Sequence, residues 1–423
     1  MNLSSIPAAG AHSARYLAWR RSTFWTVLIV YGAFYFCREN ISVAMPLIQK
    51  AFTWTNEDTG IIITISTLAY ALGKLVSGPL VDRVGGKRMF LASLFLSALF
   101  SATFGLGASM PFFIFAWSLN RFALSGGWNG LIRVVSRWYA PEEVGTACGL
   151  ISVNYQLGNV VSLFAVGALV SLGFGWRELF FVPAVWLVLF GVVATQTMKE
   201  EPRDIGEKSP PWVTDSASVR ARGQLWRDLG ELFRMRGFIL ICSLSVILTF
   251  IRALFMVWTP TYLNALGGKL DVAAFKSAIF PFMGCLGTIL AGWISDHYGR
   301  ARRGGTIALM LVVLTACLFV LAAFGDRSQI LGFVALGLIG FFLYGPYSLV
   351  TGVAAIDFGG TRLTGTAAGF IDAVGYVGAA LSGIGGGFLS ERYSWSTVFY
   401  LLVFCSALAT ALGFVLTVRE RNR

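Results

Sequence analysis

The sequence contains very little histidine and no closely spaced pair of cysteines. Only His12 and His297 occur in 423 residues, and the six cysteines include no CxxC pair. The patterns HExxH, GxSxG and GxxxxGKS/T are absent as well. These absences remove the local signatures of zinc sites, disulfide frameworks, hydrolytic enzymes and ATP-binding loops. We therefore expect no metal, no cofactor and no enzyme activity.

Charged residues are also scarce. They make up 13% of the chain against 56% hydrophobic residues, and the mean hydropathy is +0.71. Soluble domains carry about 25% charged residues. About twelve apolar runs reach 18 residues or more, the length that a membrane-crossing helix needs. We therefore predict an all-α polytopic membrane protein with twelve transmembrane helices in two six-helix halves.

The predicted organisation follows from where these apolar runs stop. The predicted spans are 22–45, 60–81, 88–108, 111–136, 145–173, 177–198, 237–264, 273–295, 304–324, 328–352, 362–390 and 396–418. The predicted divisions are an N-terminal tail at 1–21, a first half at 22–198, a central linker at 199–236, a second half at 237–418 and a C-terminal tail at 419–423. Leucines at helical spacing predict a short surface helix from Gln224 to Arg236 at the end of the linker.

The basic residues are distributed unevenly between alternate loops. Of the lysines and arginines outside the spans or at their ends, 22 fall in the tails, the linker and the loops on their side, and 6 fall on the opposite side. Cytoplasmic loops carry the excess of positive charge in membrane proteins. The tails and the linker are therefore predicted to be cytoplasmic, with a bacterial inner membrane as the location. The net charge of +12 thus reflects membrane topology, and we expect no nucleic-acid partner.

An arginine interrupts the first span. The stretch YGAFYFCRENISVAMP carries Arg38, and Tyr31, Tyr35, Arg38 and Ser42 follow at spacings that place them on one helical face. A cation at the centre of a membrane helix costs about 2.5–3.5 kcal/mol, so it should face a wet cavity. Arg252 lies 214 positions later, at the equivalent place in a repeat. The two arginines predict a symmetric anion clamp.

The repeat includes the loops after the second and eighth spans. The first loop, GPLVDRVGGKR, contains Gly78, Asp82, Arg83, Gly85 and Arg88. Its copy, GWISDHYGRAR, contains Asp296, which lies 214 positions after Asp82. Parallel repeats of this kind place the substrate site between the halves, near the bilayer midplane. We interpret the two loops as gating loops.

The first of these loops resembles the loop signature of the major facilitator superfamily. YFCRENISVAMP, AYALGKLVSG, FIRALFMVWTPTYL, FFLYGP and GTAAGF together resemble the organophosphate:phosphate antiporter family. This resemblance implies exchange of an organic phosphate for inorganic phosphate by alternating access, in a protein that works as a monomer. It also implies a substrate site, whose residues would be Arg38, Arg252, Lys74, Tyr31, Tyr35, Tyr70, Tyr344 and Tyr376.

Several residues depart from the family pattern. The family's histidine in the fifth span is missing, and Asn154, Tyr155 and Gln156 occupy its neighbourhood. Arg121, in LNRFALSGG, is similar to a residue of symporters that carry sugar acids. Arg121, Asp372 and Glu39 are therefore candidates for coupling or charge balance.

These departures leave alternatives open. We expect Asp372 to pair with a cation of the site. Glu39 should meet another helix, because adjacent helical residues point about 100° apart. A proton-coupled symporter of an organic anion such as a sugar acid is one alternative function, and a transporter-like sensor of sugar phosphate is another.

Overall fold

The computed structural model describes residues 13–210, 224–235, 237–298, 304–325 and 328–421, and every regular element in these ranges is helical. The helices are α1 (Ala14–Ala33), α2 (Phe36–Phe52), α3 (Asn56–Val84), α4 (Gly86–Gly105), α5 (Met110–Trp138), α6 (Pro141–Ser152), α7 (Asn154–Ser171), α8 (Glu178–Thr197), α9 (Gln224–Arg234), α10 (Phe238–Ala265), α11 (Leu270–Ser277), α12 (Ile279–Tyr298), α13 (Gly304–Phe324), α14 (Gln329–Ser348), α15 (Ala354–Arg392) and α16 (Trp395–Arg421). A 3-10 turn at Pro202–Ile205 and a π turn at Leu349–Val353 are also present.

Eleven helical segments of the described chain are long and apolar enough to cross a membrane. Helix α5 is less apolar because Asn120 and Arg121 lie within it. Its 29 residues nevertheless extend about 43 Å, more than the ~30 Å of a hydrocarbon core. With α5, the described bundle makes twelve passes. The predicted all-α polytopic membrane fold is confirmed.

Three of these passes are divided into two helices by one or two residues that keep right-handed helical dihedrals. The first pass consists of α1 and α2, which meet at Phe34 and Tyr35, directly before Arg38. The other two junctions lie at Val153, between α6 and α7, and at Ala278, between α11 and α12. At each junction the backbone N–H groups bond to the carbonyl three residues earlier, as in a 3-10 turn. The first two of these tightened turns lie next to Arg38 and Tyr155.

The bundle has two faces, which the central linker identifies. The backbone N–H of Lys199 donates to Thr23 Oγ1 at 3.3 Å, and Trp138 Nε1–H donates to the Lys199 carbonyl at 3.1 Å. The start of the linker therefore lies beside α1 and the end of α5. We name this face the termini side, because an even number of passes returns the chain to it.

The first six passes contact the last six on the opposite face. The backbone N–H of Asn56, at the start of α3, donates to Glu391 at 2.9 Å. Ser171, at the end of α7, donates to Asp271 of α11 at 3.1 Å. Both contacts join helix ends that lie away from the termini side. In this conformation, the two groups of helices are held together on the face opposite the linker.

Glycines allow α3 and α15 to approach closely on that face. A Cβ on Gly60 would lie 2.5 Å from the carbonyl oxygen of Gly383, and one on Gly387 would lie 2.3 Å from that of Asn56. Any side chain at these positions would push the two helices apart. Small residues have the same role in many membrane helix pairs. The glycines of α15 therefore determine how tightly the bundle closes here.

One predicted loop is wrong. The sequence prediction placed a break between 352 and 362, but the π turn at Leu349–Val353 leads straight into α15, which begins at Ala354. Residues 354–366 contain no proline that would stop a helix. The 39 residues of α15 extend about 58 Å, so the helix continues well beyond a hydrocarbon core on the termini side.

Some sequence predictions fall wholly or partly outside the described residues. These are 1–12 of the N-terminal tail, 211–223 and 236 of the linker, and 422–423 of the C-terminal tail. The helix predicted to start at Gln224 is present as α9, which ends at Arg234. The boundaries of tails, linker and halves stay predictions.

Candidate functional site

A cavity of about 50 Å³ lies between the two groups of helices, near the middle of the bundle. Helices α2, α3, α5, α10 and α15 supply its walls. We name it the central cavity; its lining residues are Arg38, Glu39, Ile63, Thr67, Tyr70, Arg121, Arg252, Ala253, Met256, Val257, Tyr376, Ala379 and Ser382. Three cations and one carboxylate among these residues give the lining an excess of two positive charges. A weakly hydrated site with this charge attracts anions.

Arg38 and Arg252 both reach the central cavity, from α2 and α10. Each guanidinium lies over the ring of Tyr155, at 5.8 Å for Arg38 and 5.2 Å for Arg252. The Nε atom of each is buried and has no hydrogen-bond partner among the described residues. A planar guanidinium group can donate two parallel hydrogen bonds to phosphate oxygens, and it keeps its charge when buried. The two arginines thus flank one aromatic ring, and each has an N–H group that is free to donate to a ligand.

The surroundings of the two arginines differ. Arg38 Nε lies 3.3 Å from Glu39 Oε1, and Tyr35 and Tyr70 face its guanidinium at 5.4 and 5.2 Å. Arg252 has Tyr347 as its second ring neighbour, at 4.9 Å. Among the described contacts, a carboxylate accompanies only the first arginine of the pair.

The expectation for Glu39 is met only in part. Glu39 lies close enough to Arg121 of α5 to interact with its charge, but it is also 8% exposed, lines the central cavity and contacts its neighbour Arg38. The Cα–Cβ bonds of adjacent residues do point about 100° apart. The flexible side chains of arginine and glutamate are nevertheless long enough to meet in the space that both face.

Arg121 also faces the central cavity. It comes from α5, is 9% exposed, and its Nε is buried without a hydrogen-bond partner in the described structure. Its guanidinium lies over the ring of Trp117 at 5.4 Å, one turn earlier on the same helix. The sequence indicated a role in coupling or charge balance, and the structure places the residue beside the two clamp arginines.

Lys74 forms an ion pair with Asp372, which joins α3 to α15. One turn away, the rings of Tyr70 and Tyr376 contact each other with centroids 4.9 Å apart. Both pairs lie where the helices approach the termini side of the central cavity. The expectation that Asp372 pairs with a cation of the predicted site is confirmed. Lys74 is therefore already paired, as Arg38 is with Glu39, whereas Arg121 and Arg252 have no ion pair among the described residues.

The predicted tyrosines take different places. Tyr70 and Tyr376 line the central cavity, and Tyr35 packs under Arg38. Tyr31 contacts Trp128, with centroids 5.5 Å apart, and is outside the lining. Tyr344 is fully buried, and its hydroxyl donates to the sulfur of Met256 at 3.5 Å. Binding roles for these tyrosines stay predictions.

The sequence pattern of the Major Facilitator Superfamily matches residues 27–383. The chain belongs to the major facilitator superfamily. A probable hexose phosphate transport protein of Chlamydia trachomatis is 26% identical over 421 residues, which cover 94% of this chain and 91% of that protein. The membrane sensor protein UhpC of Salmonella typhimurium is 27% identical over 409 residues, covering 94% and 92%.

A solved structure shares the fold of this chain. A bacterial homologue of the human lysosomal transporter Spinster, crystallised in an inward-facing and unoccupied conformation, superposes with a TM-score of 0.81. The match covers 96% of this chain and 98% of that one at 16% identity, so the similarity concerns the fold alone.

The predicted gating loop of this superfamily member is part of a charged network on the termini side. Arg133 of α5 donates to Asp82 at 2.6 Å. Gly85 has a φ of +94°, a left-handed conformation that favours glycine, and the next helix starts there. The carboxylate of Glu200 accepts the backbone N–H groups of Gly86 and Lys87, where the positive end of the α4 dipole favours an anion. The linker is thereby attached to the loop.

Other members of the predicted loop motif contribute less to this network. Gly78 has open space where a Cβ would be, and Arg83 and Arg88 are exposed. Asp296 lies in α12, but its side chain is outside the described part, as are residues 299–303 of the second loop.

The site contains two tyrosines that the sequence prediction did not assign to it. Tyr155 lies between Arg38 and Arg252, and Tyr347 lies beside Arg252. Tyr155 had a signal, because it is one of the three residues, with Asn154 and Gln156, in the neighbourhood where the resemblance implied a histidine. Tyr347 follows Tyr344 by three positions in LYGPY, so both lie on one side of α14. Its proximity to Arg252 depends on how α14 packs against α10, which spacing does not reveal.

Proposed function

We propose that this protein carries an organic phosphate, either a sugar phosphate or glycerol phosphate, across the membrane in exchange for inorganic phosphate. The observation that carries the proposal is the meeting of Arg38 and Arg252, from equivalent positions in the two halves, at one cavity. The relative from Chlamydia trachomatis, named as a hexose phosphate transport protein, supports this substrate class.

The transport step follows from the charge of the cavity. Arg38, Arg121 and Arg252 repel one another, and Glu39 offsets one of the three charges. A phosphate bound between Arg38 and Arg252 neutralises both and favours the approach of the two halves. A ligand shifts a conformational equilibrium only by its difference in affinity between the states. An anion that contacts both halves has such a difference, because rocking changes the distance between the arginines.

The side on which the cavity opens follows from the charge distribution. The halves contact each other on the face opposite the linker, so rocking would next separate them there. The excess of basic residues supports a cytoplasmic location for the linker and both termini, in a bacterial inner membrane. In this orientation the conformation is closed to the outside. A cysteine introduced at Ser216 of the linker should therefore resist an impermeant thiol reagent in intact cells, and rapid labelling would overturn the orientation.

The exchange itself is tested in proteoliposomes. The purified protein is reconstituted with or without internal phosphate, and uptake of radiolabelled phosphate is measured with a panel of sugar phosphates, glycerol 3-phosphate and sugar acids as competitors. We expect uptake to require internal phosphate or organic phosphate, and organic phosphates to compete. A monomer should be sufficient for this activity. Uptake that needs no counter-substrate would overturn exchange.

A second candidate function is proton-coupled symport of an organic carboxylate. Arg121 in the cavity wall and the titratable Asp372 beside Lys74 favour it. The same vesicles distinguish the two functions, because a symporter would accumulate a sugar acid under a proton gradient and lose it on addition of a protonophore.

A third candidate function is a sugar-phosphate sensor, which the relative named as a membrane sensor supports. A sensor would bind sugar phosphate in the same cavity without catalysing exchange. Isothermal titration of the protein in detergent, combined with the vesicle assay, separates binding from transport.

A further inference from the structure

We infer that Arg121 forms a second anion subsite in the central cavity, so that the preferred substrate carries a carboxylate as well as its phosphate. The ligand class is a phosphorylated carboxylic acid, with the phosphate between Arg38 and Arg252 and the carboxylate on Arg121. This inference rests on the proposed function, since it assumes that the two clamp arginines hold a phosphate.

The first argument is that Arg121 faces the cavity with an unsatisfied donor. It is nine-tenths buried, lines the same space as the clamp arginines, and its Nε has no hydrogen bond within the described residues. Burying a cation in a membrane bundle is unfavourable unless an anion accompanies it. A purely structural arginine would be expected to contact a carboxylate or a ring of backbone carbonyls.

The second argument is that no carboxylate of the described residues forms an ion pair with Arg121. Glu39 contacts Arg38 at 3.3 Å and attracts Arg121 only from further away, and Asp372 is paired with Lys74. The lining therefore keeps two positive charges in excess. This excess matches one dianionic phosphate, or a singly protonated phosphate together with a carboxylate.

The third argument concerns position and separates these two cases. Arg38 and Arg252 share the ring of Tyr155, at 5.8 and 5.2 Å, which places them around one point. Arg121 instead lies over Trp117, on a helix that contributes neither clamp arginine. Two separate positions for charge suit a ligand with two separate anionic groups. The wall formed by Ile63, Met256 and Val257 suits a short carbon chain between them.

The test uses two probes that differ in one group. In 3-phosphoglycerate a carboxylate takes the place of the terminal hydroxymethyl group of glycerol 3-phosphate. Each compound competes against radiolabelled phosphate in binding to the purified protein. A charge-assisted contact supports a preference of about tenfold or more for the acid in the wild type. Arg121→Gln should reduce the ratio of the two affinities towards one, and Arg121→Lys should leave an intermediate ratio.

The control variant is Arg133→Gln, on the same helix but bonded to Asp82 outside the cavity. It should keep the wild-type ratio. Equal affinities for the two probes in the wild type, or an unchanged ratio in Arg121→Gln, would overturn the second subsite while leaving phosphate exchange intact. The wild-type ratio can be measured even if the variants fail to fold. A third outcome is that the protein binds carboxylic acids without a phosphate group, but binds neither of the two probes and no inorganic phosphate. In that case the proposed function fails along with the subsite.

Discussion

Arg38 and Arg252 occupy equivalent positions in the two halves, yet their surroundings differ. Arg38 follows a junction between two helices and contacts the carboxylate of Glu39. Arg252 lies within the unbroken helix α10, and its described ring neighbours are Tyr155 and Tyr347. The comparison teaches that a sequence repeat preserves the cation but not its charge environment. The clamp is symmetric in position and asymmetric in charge.

The largest effect is expected from removing the arginine that has no adjacent carboxylate. Arg252→Gln should reduce phosphate exchange at least tenfold, and more than Arg38→Gln, because Glu39 already offsets part of the charge of Arg38. Initial exchange rates in proteoliposomes measure this. Arg177→Gln is a suitable control, since Arg177 lies over Trp176 in the loop before α8. An equal loss for both clamp variants would show that Glu39 does not distinguish them.

The next effect concerns Glu39 itself. Glu39→Gln keeps the shape of the side chain and removes a negative charge from the cavity, so phosphate should bind about tenfold more tightly. Titration calorimetry with phosphate measures this, with Glu143→Gln as a carboxylate control, because Glu143 pairs with Arg20 within the first half and outside the cavity. Weaker binding in Glu39→Gln would instead show that Glu39 is needed to hold Arg38 in position.

A smaller effect is expected at the ion pair between Lys74 and Asp372. Asp372→Asn leaves Lys74 unpaired, which adds a positive charge near the cavity. The affinity for phosphate should therefore rise severalfold, while exchange persists. The combined exchange Lys74→Asp with Asp372→Lys should restore the wild-type affinity. If Asp372→Asn abolishes exchange, Asp372 takes part in coupling and the symport mechanism gains support.

The smallest effect is expected at the ring that both arginines share. Tyr155→Phe keeps the aromatic face and should change phosphate affinity little. Tyr155→Leu removes the cation–π contacts with Arg38 and Arg252 and should cost about 0.5–2 kcal/mol. Competition binding separates the two variants. A large loss in Tyr155→Phe would show that the hydroxyl group itself contacts the ligand.

Much of this architecture could be predicted from the sequence. Hydropathy predicts the passes, because a long apolar segment in lipid satisfies its backbone hydrogen bonds internally as a helix. The 214-residue offset predicts that Arg38 and Arg252 belong together, and the structure brings both to one cavity. The ion pair of Asp372 was also expected, since a carboxylate in a membrane core needs a partner.

The rest depends on tertiary packing. The junction between α1 and α2 at Phe34 and Tyr35 has no proline or glycine at its centre, so no local feature of the sequence predicts it. The continuous α15 shows the converse, because two glycines at 359–360 do not interrupt it. The contact between Glu39 and Arg38 was missed because the prediction considered helical directions without side-chain length. Tyr347 reaches the site through the crossing of two helices, a geometry that no spacing within one helix contains.

One measurement tests most directly whether both arginines hold the same phosphate. It is the affinity for inorganic phosphate of wild type, Arg38→Lys, Arg252→Lys and the double variant, determined by calorimetry on purified protein. Lysine keeps the charge and removes the planar fork, so each single variant should lose about 1–3 kcal/mol, with the larger loss at Arg252. The double variant should depart from the sum of the two losses, because residues that share one ligand are coupled. Near-wild-type affinity in either single variant would contradict the clamp.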